Sequence, residues 1–263
     1  MAVTIHTAED IAHMRVACRL ASEVLDYITP FVKPGVTTGK LNELCHAYMR
    51  DVQGTVPAPL NYAPPGYPPF PASICTSVND VICHGIPTDK VLKNGDIVNL
   101  DITVITKEGY YGDTSRTFIV GEGSILAKRL TQVTFECMWK GIAAVRPGAR
   151  LGDIGHVIQQ HAEAAGYSVV REYCGHGIGK VFHADPQILH YGRPGTGMEL
   201  KAGMIFTIEP GLYFHKDDLL VPKAFRGIGV RIEDDVAVTA AGREVLTAAA
   251  PKAIADIEAL MRD

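Results

Sequence analysis

The chain has 263 residues, 47% of them hydrophobic, enough to bury a sizeable core in one large domain or two small ones. Its 25 Lys and Arg against 29 Asp and Glu give a formal charge of -4, which argues against a dedicated nucleic-acid or anionic-membrane surface. No stretch approaches the roughly 18 consecutive apolar residues of a membrane span, the start Met1–Thr7 has neither a basic nor an apolar character, and the six cysteines lack CxxC spacing. The expectation is a cytoplasmic protein with reduced thiols.

Thr7 and Asp10 form a capping box that opens a helix, with Ile11, Met14, Ala17, Ala21, Val24, Leu25 and Ile28 at helical spacing until Pro30 stops it. Val32-Lys33-Pro34-Gly35 makes a turn, and a second helix starts at about Thr38. Between residues 63 and 71, Ala-Pro-Pro-Gly-Tyr-Pro-Pro-Phe-Pro forbids helix and central strand and reads as a stiff surface loop. Strand-like runs follow at 73–86, 96–105 and 111–120.

The same order returns about 113 residues later. A helix through Leu130, Val133, Cys137 and Ile142 is followed by the turn Val145-Arg146-Pro147-Gly148 and a helix carrying Val157, Ile158 and Ala162. Strand-like runs then cover 168–173, 203–213 and 229–239. Two helices followed by antiparallel hairpins, twice, predict an α+β fold with pseudo-twofold symmetry, the sheets joined in the middle and the helices on the outer face. No composition break marks a linker, so a single domain over residues 1–263 is expected, with half-repeats at about 7–120 and 121–240.

Five side chains in apolar or glycine-rich surroundings carry the chemistry: Asp101, Asp113, His176, Glu209 and Glu233. Alternation puts Asp101 on one face of its strand with Asn99 and Thr103, while Val98, Leu100, Ile102 and Val104 fill the other. A three-residue loop at 106–108 would set Asp101 opposite Asp113, with β-carbons about 5 Å apart. Carboxylates so close repel or share a proton unless a cation lies between them. The alternative for that pair alone is a hairpin with two solvated acids. His176 is the one strong ligand in Cys174-Gly175-His176-Gly177-Ile178-Gly179. Four carboxylates and an imidazole form a hard donor set suited to a pair of Mn²⁺, Fe²⁺, Co²⁺ or Zn²⁺ ions, with an activated water as nucleophile.

Several motifs in order, Val81-Ile82-Cys83-His84-Gly85-Ile86-Pro87, Asn99–Val104, Gly112-Asp113-Thr114-Ser115, Arg171–Gly179 and Phe206-Thr207-Ile208-Glu209-Pro210, resemble the type I methionine aminopeptidases of the bacterial short form. That resemblance spans nearly the whole chain and implies the pita-bread fold, with a central curved sheet and outer helices. It implies metal ligands at Asp101, Asp113, His176, Glu209 and Glu233, and catalytic histidines at His84 and His183. Glu209 would take the proton of the attacking water, and His183 would stabilise the oxyanion. Methionine-pocket positions map onto Tyr62, Phe70, Cys75 and Phe182, with His84 and His183 also touching substrate. The implied substrates are N-terminal methionyl peptides and nascent chains with a small second residue, met by a monomer in transient contact with the ribosome.

Three departures accompany the resemblance. Asp101 and Asp113 stand one residue further apart than is usual in the family, either through the turn around Lys107 or through a bulge that re-aims Asp113. Arg231-Ile232-Glu233-Asp234-Asp235 replaces the usual Glu-His-Thr and resembles Xaa-Pro peptidases of the same superfamily. The aromatic that closes the methionine pocket is missing or replaced by Phe225. The alternatives are therefore an Xaa-Pro aminopeptidase or dipeptidase, which carries a large additional N-terminal domain, and an inactive binding module that has lost its ligands.

Overall fold

The computed structural model describes residues 3–213 and 228–262. Helix α1 (Ala8–Ile28) opens on the expected capping box, Thr7 accepting from Asp10 N–H and Asp10 capping Thr7 in return. Its apolar face, from Met14 to Ile28, is buried. A turn through Gly35 leads to α2 (Thr38–Ala47), capped by Thr37. The pattern returns in α3 (Ile125–Ala144), a turn through Gly148, and α4 (Leu151–Ala164). The N-cap residues of α2 and α4 are tied alike, by single bridges between Thr37 and Val91 and between Arg150 and Glu199.

The strands of the first half are β1 (Val56–Pro57), β2 (Cys75–Val78), β3 (Ile97–Ile105) and β4 (Tyr111–Ile119). All pair antiparallel around β3. The run at 73–86 is strand only over β2, because Asn79 adopts a left-handed conformation (φ 56) and turns the chain away. Gly85 then returns so that its carbonyl accepts from Thr76 N–H at 2.7 Å.

The second half contributes β5 (Ser168–Val169), β6 (Gly175–Gly177), β7 (Ala184–Ile188), β8 (Ile205–Ile208), β9 (Gly211–Tyr213), β10 (Gly229–Arg231), β11 (Asp234–Thr239) and β12 (Gly242–Val245). One ladder runs β10-β9-β5 and another β12-β11-β8-β6-β7. A last helix, α5 (Ile254–Leu260), packs into the first-half core through Ile257.

The β3–β4 hairpin corrects the expected register. Asp101 pairs with Ser115 and Asp113 with Thr103, so the two aspartates are diagonal neighbours on one face. The reason lies in the turn, which spans Thr106 to Tyr110 and is closed by Thr106 N–H on Tyr110 O (2.9 Å) and Gly109 N–H on Thr106 O (3.0 Å). Pairing is unbroken from Ile97↔Ile119 to Ile105↔Tyr111, so the turn absorbs the extra residue and no bulge re-aims Asp113.

A second ribbon presents the glutamates. Ile208 pairs with Asp234 and Gly211 with Arg231, and these share one register. Carried across the gap, that register sets Glu209 opposite Glu233 and Pro210 opposite Ile232. Pro210 has no N–H to give, so the ladder breaks there and the chain passes from one sheet to the other. Each half thus offers a two-stranded ribbon with two carboxylates on one face.

The ribbons are clamped together by polar side chains. Asn99 Nδ2 and Thr117 Oγ1 both donate to Arg231 O at 2.9 Å, and Asp113 N–H donates to Asp235 Oδ2 at 3.1 Å. Behind the first ribbon, α1 crosses β4 at Gly112, where a Cβ would lie 2.2 Å from the Ala17 carbonyl carbon. Gly112→Val would force helix and strand apart and is expected to cost about 1–3 kcal/mol of stability. Urea unfolding measures this, and an unchanged midpoint would contradict the tight crossing.

Candidate metal centre and active site

Asp101, Asp113, His176, Glu209 and Glu233 are all buried, and the two ribbons with β6 bring them into one interior space. His176 gets there because its flanking glycines allow close approach: a Cβ on Gly175 would lie 2.4 Å from Thr207 O, and one on Gly177 would lie 2.2 Å from Asp185 O. His176 Nδ1 lies 3.1 Å from Gly177 O, so the proton belongs on Nδ1 and the Nε2 lone pair faces inward. Nε2 sits 3.7 Å from both Asp113 Oδ2 and Glu209 Oε1. Burial pulls this imidazole down to about 4, which keeps it neutral.

Ligand atoms of Asp113, His176 and Glu233 all lie within 4.8 Å of one another, close enough to share one ion. Burial pushes the carboxyl groups of Asp113 and Glu233 well above the usual range, and for Asp113 the neighbouring Asp101, Asp235 and Glu209 push the same way. Glu233 Oε2 is buried without a hydrogen bond; Arg231 Nη2, at 3.4 Å, is close enough for charge attraction only. An orphaned carboxylate oxygen beside a neutral imidazole and further carboxylates fits a divalent cation. Such a group would be held by the five ligands expected from the sequence.

Several residues that hold these ligands were not singled out by the sequence reading. Thr103 Oγ1 donates to Asp113 Oδ1 at 2.8 Å. Thr207, fully buried, accepts from His176 N–H at 3.0 Å and donates to Glu209 Oε1 at 2.8 Å. The Glu209 N–H donates to His190 Nε2 at 3.2 Å. Most consequential is Arg231, buried and paired with three of the carboxylates: Nη2 bonds Asp101 Oδ2, Nη1 bonds Glu209 Oε2 at 2.9 Å, and Nη2 approaches Glu233. Strand alternation could have found it, since Arg231 is two residues before Glu233 and so shares its face.

The remaining acids of the same segment have partners of their own. Asp234 Oδ1 accepts from Lys252 Nζ and from Thr247 Oγ1, both at 2.7 Å, and Lys252 also donates to Thr114 Oγ1 at 2.7 Å. Asp235 Oδ2 accepts from Asp113 N–H and from the Cys18 thiol at 3.2 Å, and burial pushes its carboxyl up to about 7.

The expected catalytic and pocket residues divide. His183 rings His176 at 4.3 Å and Phe182 at 4.1 Å between centroids, and its Nδ1 is 2.7 Å from the Tyr62 hydroxyl. Its outer edge is solvent-exposed, yet packing on these neighbours, then the nearby His176, lowers its basicity. His84 has a left-handed backbone (φ 55) and stacks edge-on with Tyr173 at 5.2 Å. Desolvation, then the charge of Arg231, lowers its basicity. Phe182 stacks on Tyr111 at 5.4 Å and meets Tyr62 at 5.0 Å, so Tyr111 joins the aromatic wall.

Cys75 is buried as the strand partner of Asp101. Phe70 is half-buried, and its backbone bonds to Asn61 and Tyr62 close the base of the proline-rich loop, whose tip is exposed. Phe225 lies outside the described residues.

Removing the Thr207 hydroxyl frees both Glu209 Oε1 and the backbone of His176. Thr207→Val is expected to weaken divalent-metal affinity about 10- to 100-fold, read by calorimetric titration of Mn²⁺. Unchanged affinity would mean that the hydroxyl does not orient the ligands.

Comparison with known proteins bears on this site. The model of metallopeptidase family M24 matches residues 12–240. The chain is 52% identical over 255 residues to a methionine aminopeptidase of Rickettsia prowazekii, covering 94% of this chain and 96% of the other. The crystal structure of the methionine aminopeptidase from that organism superposes with a TM-score of 0.86 over 94% of this chain and 100% of its own. The methionine aminopeptidase of Escherichia coli K12 is 49% identical, with 94% of both chains covered. An Xaa-Pro dipeptidase from Bacillus anthracis superposes with a TM-score of 0.76 at 29% identity, and the match covers only 62% of that longer chain.

Proposed function

Because the chain belongs to metallopeptidase family M24, we propose that its buried ligand cluster is the catalytic centre of a methionine aminopeptidase that holds two divalent ions within a single domain. Methionine aminopeptidase activity rests on one observation above the others. Identity near 50% extends over almost the full length of both partners, whereas the Xaa-Pro peptidase match leaves more than a third of that protein uncovered. Its substrates are peptides that begin with methionine, and the small second residue, nascent chains and brief ribosome contact form part of the same reading. Among the described residues no helix is long and apolar enough to cross a membrane, and we take the setting to be the cytoplasm.

When bound, the ions supply Lewis acidity toward the scissile carbonyl and make water a nucleophile near neutral pH. The residues of the chain do the rest. Glu209, whose Oε1 is held by Thr207, receives the proton of the attacking water and passes it to the leaving amine. A Tyr62 hydroxyl donating to His183 Nδ1 leaves the proton of the neutral ring on Nε2, where it can donate to the developing oxyanion. His84, aimed by its left-handed backbone, binds the peptide near the amino terminus. Phe182, with Tyr62 and Tyr111 packed around it, gives an apolar wall suited to a thioether.

With Mn²⁺ or Co²⁺ added, Met-Ala-Ser and Met-Gly peptides are expected to be cleaved and Xaa-Pro dipeptides to be cleaved little. Faster turnover of Xaa-Pro substrates in a peptide panel would reverse the assignment. Glu209→Gln should keep the fold and lose about 10²- to 10⁴-fold in kcat, and a near-normal kcat would remove its role as general base.

A further inference from the structure

Among the described residues, Arg231 is the one buried cation in contact with the ligand cluster, and the mechanism gives it no step. Its main chain is fixed, since its carbonyl accepts from Asn99 and Thr117 across the junction of the two halves. Its side chain is only 5% exposed, so the guanidinium cannot swing out into water without moving its surroundings. It lies diagonally across the ribbon from Glu209, and it reaches Asp101, Glu209 and Glu233 but has no described contact with Asp113 or His176.

The cluster is therefore lopsided. Asp113 and His176 have no described contact with a protein cation and Glu233 has only the looser 3.4 Å approach of Arg231 Nη2, whereas Asp101 and Glu209 each have an oxygen already taken by a guanidinium N–H. Arginine stays protonated under all ordinary conditions, and Asp101, Glu233 and Glu209 here outweigh the effect of burial and raise its pKa further. Charge counting points the same way. Four carboxylates are nearly balanced by Arg231 and one divalent ion, and a second divalent ion carries the buried site past neutrality.

We propose that Arg231 is a resident counter-cation: it holds Asp101, Glu209 and Glu233 together in the metal-free protein and competes with a divalent ion on the Asp101 side. A divalent ion that uses Asp101 Oδ2 or Glu209 Oε2 must then dislodge the guanidinium. This rests on the reading that the cluster holds metal. Arg231 acts through the ligands, which makes it a positioning residue.

The test compares metal-free wild type with Arg231→Gln and Arg231→Lys, using calorimetric titration with Mn²⁺ and thermal unfolding with and without Mn²⁺. Wild type should bind one equivalent tightly and a second weakly. Arg231→Gln should bind the second equivalent at least about 10-fold more tightly, unfold at a lower temperature when metal-free, and recover most of that loss on adding Mn²⁺. Recovery of the Gln variant in folded form only when Mn²⁺ is present would be the same result in extreme form. Arg231→Lys, which keeps a cation, should retain part of the metal-free stability.

Isotherms and metal-free unfolding temperatures that coincide for wild type and Arg231→Gln would overturn the inference, as would a Lys variant no more stable than the Gln variant. In either of those cases wild-type Mn²⁺ uptake would leave the metallopeptidase reading standing. A wild type that bound no Mn²⁺ would sink both.

Discussion

Four carboxylates facing one another in a space nearly closed to water are the constraint around which the rest of the molecule is arranged. Like charges at this range cannot all remain ionised unless positive charge lies among them. The two ribbons create the problem by geometry, setting Asp101 diagonal to Asp113 and Glu209 opposite Glu233. The same geometry supplies part of the answer, because Arg231 occupies the next position on the Glu233 face and bonds Asp101 and Glu209. Thr103 and Thr207 donate to single carboxylate oxygens, and the Asn99 and Thr117 clamp keeps the ribbons at the distance these contacts require.

The strand end that carries Glu233 obeys the same constraint. Arg231-Ile232-Glu233-Asp234-Asp235 places three acids in a row, all buried. Each meets a different neighbourhood. Glu233 faces the ligand cluster, Asp234 turns to Lys252 and Thr247, and Asp235 takes the Asp113 N–H and the Cys18 thiol. Alternation along the strand sends Asp234 to the face opposite Glu233 and Asp235, so its charge is compensated by Lys252 apart from the ligand cluster. Lys252 comes from the segment just before α5, which ties the chain's last helix to the back of the site.

Much of this was legible in the sequence because it depends on local rules. Helical spacing and the Thr7 capping box located α1, and the recurrence of Pro-Gly turns at 34–35 and 147–148 exposed the repeat. The five candidate ligands stood out as polar groups in apolar or glycine-rich runs, and all five are buried. What escaped was set by tertiary register. The hairpin turn runs from Thr106 to Tyr110 instead of closing in three residues, which moved the Asp101 partner from Asp113 to Ser115. Thr207 and His190 look like ordinary strand and loop residues until folding brings His176 and Glu209 beside them. Arg231 was visible as part of a motif, but its bond to Asp101 joins residues 130 positions apart, and no local pattern announces that.

The central claim is that positive charge at a defined place, shared between Arg231 and bound metal, makes this carboxylate cluster possible. Anomalous diffraction from crystals grown with Mn²⁺ tests it most directly. The account predicts a manganese peak among Asp113, His176 and Glu233, stronger than any on the Asp101 side while Arg231 still bonds Asp101. No peak in the cluster, or manganese concentrated on the Asp101 side with Arg231 in place, would contradict it.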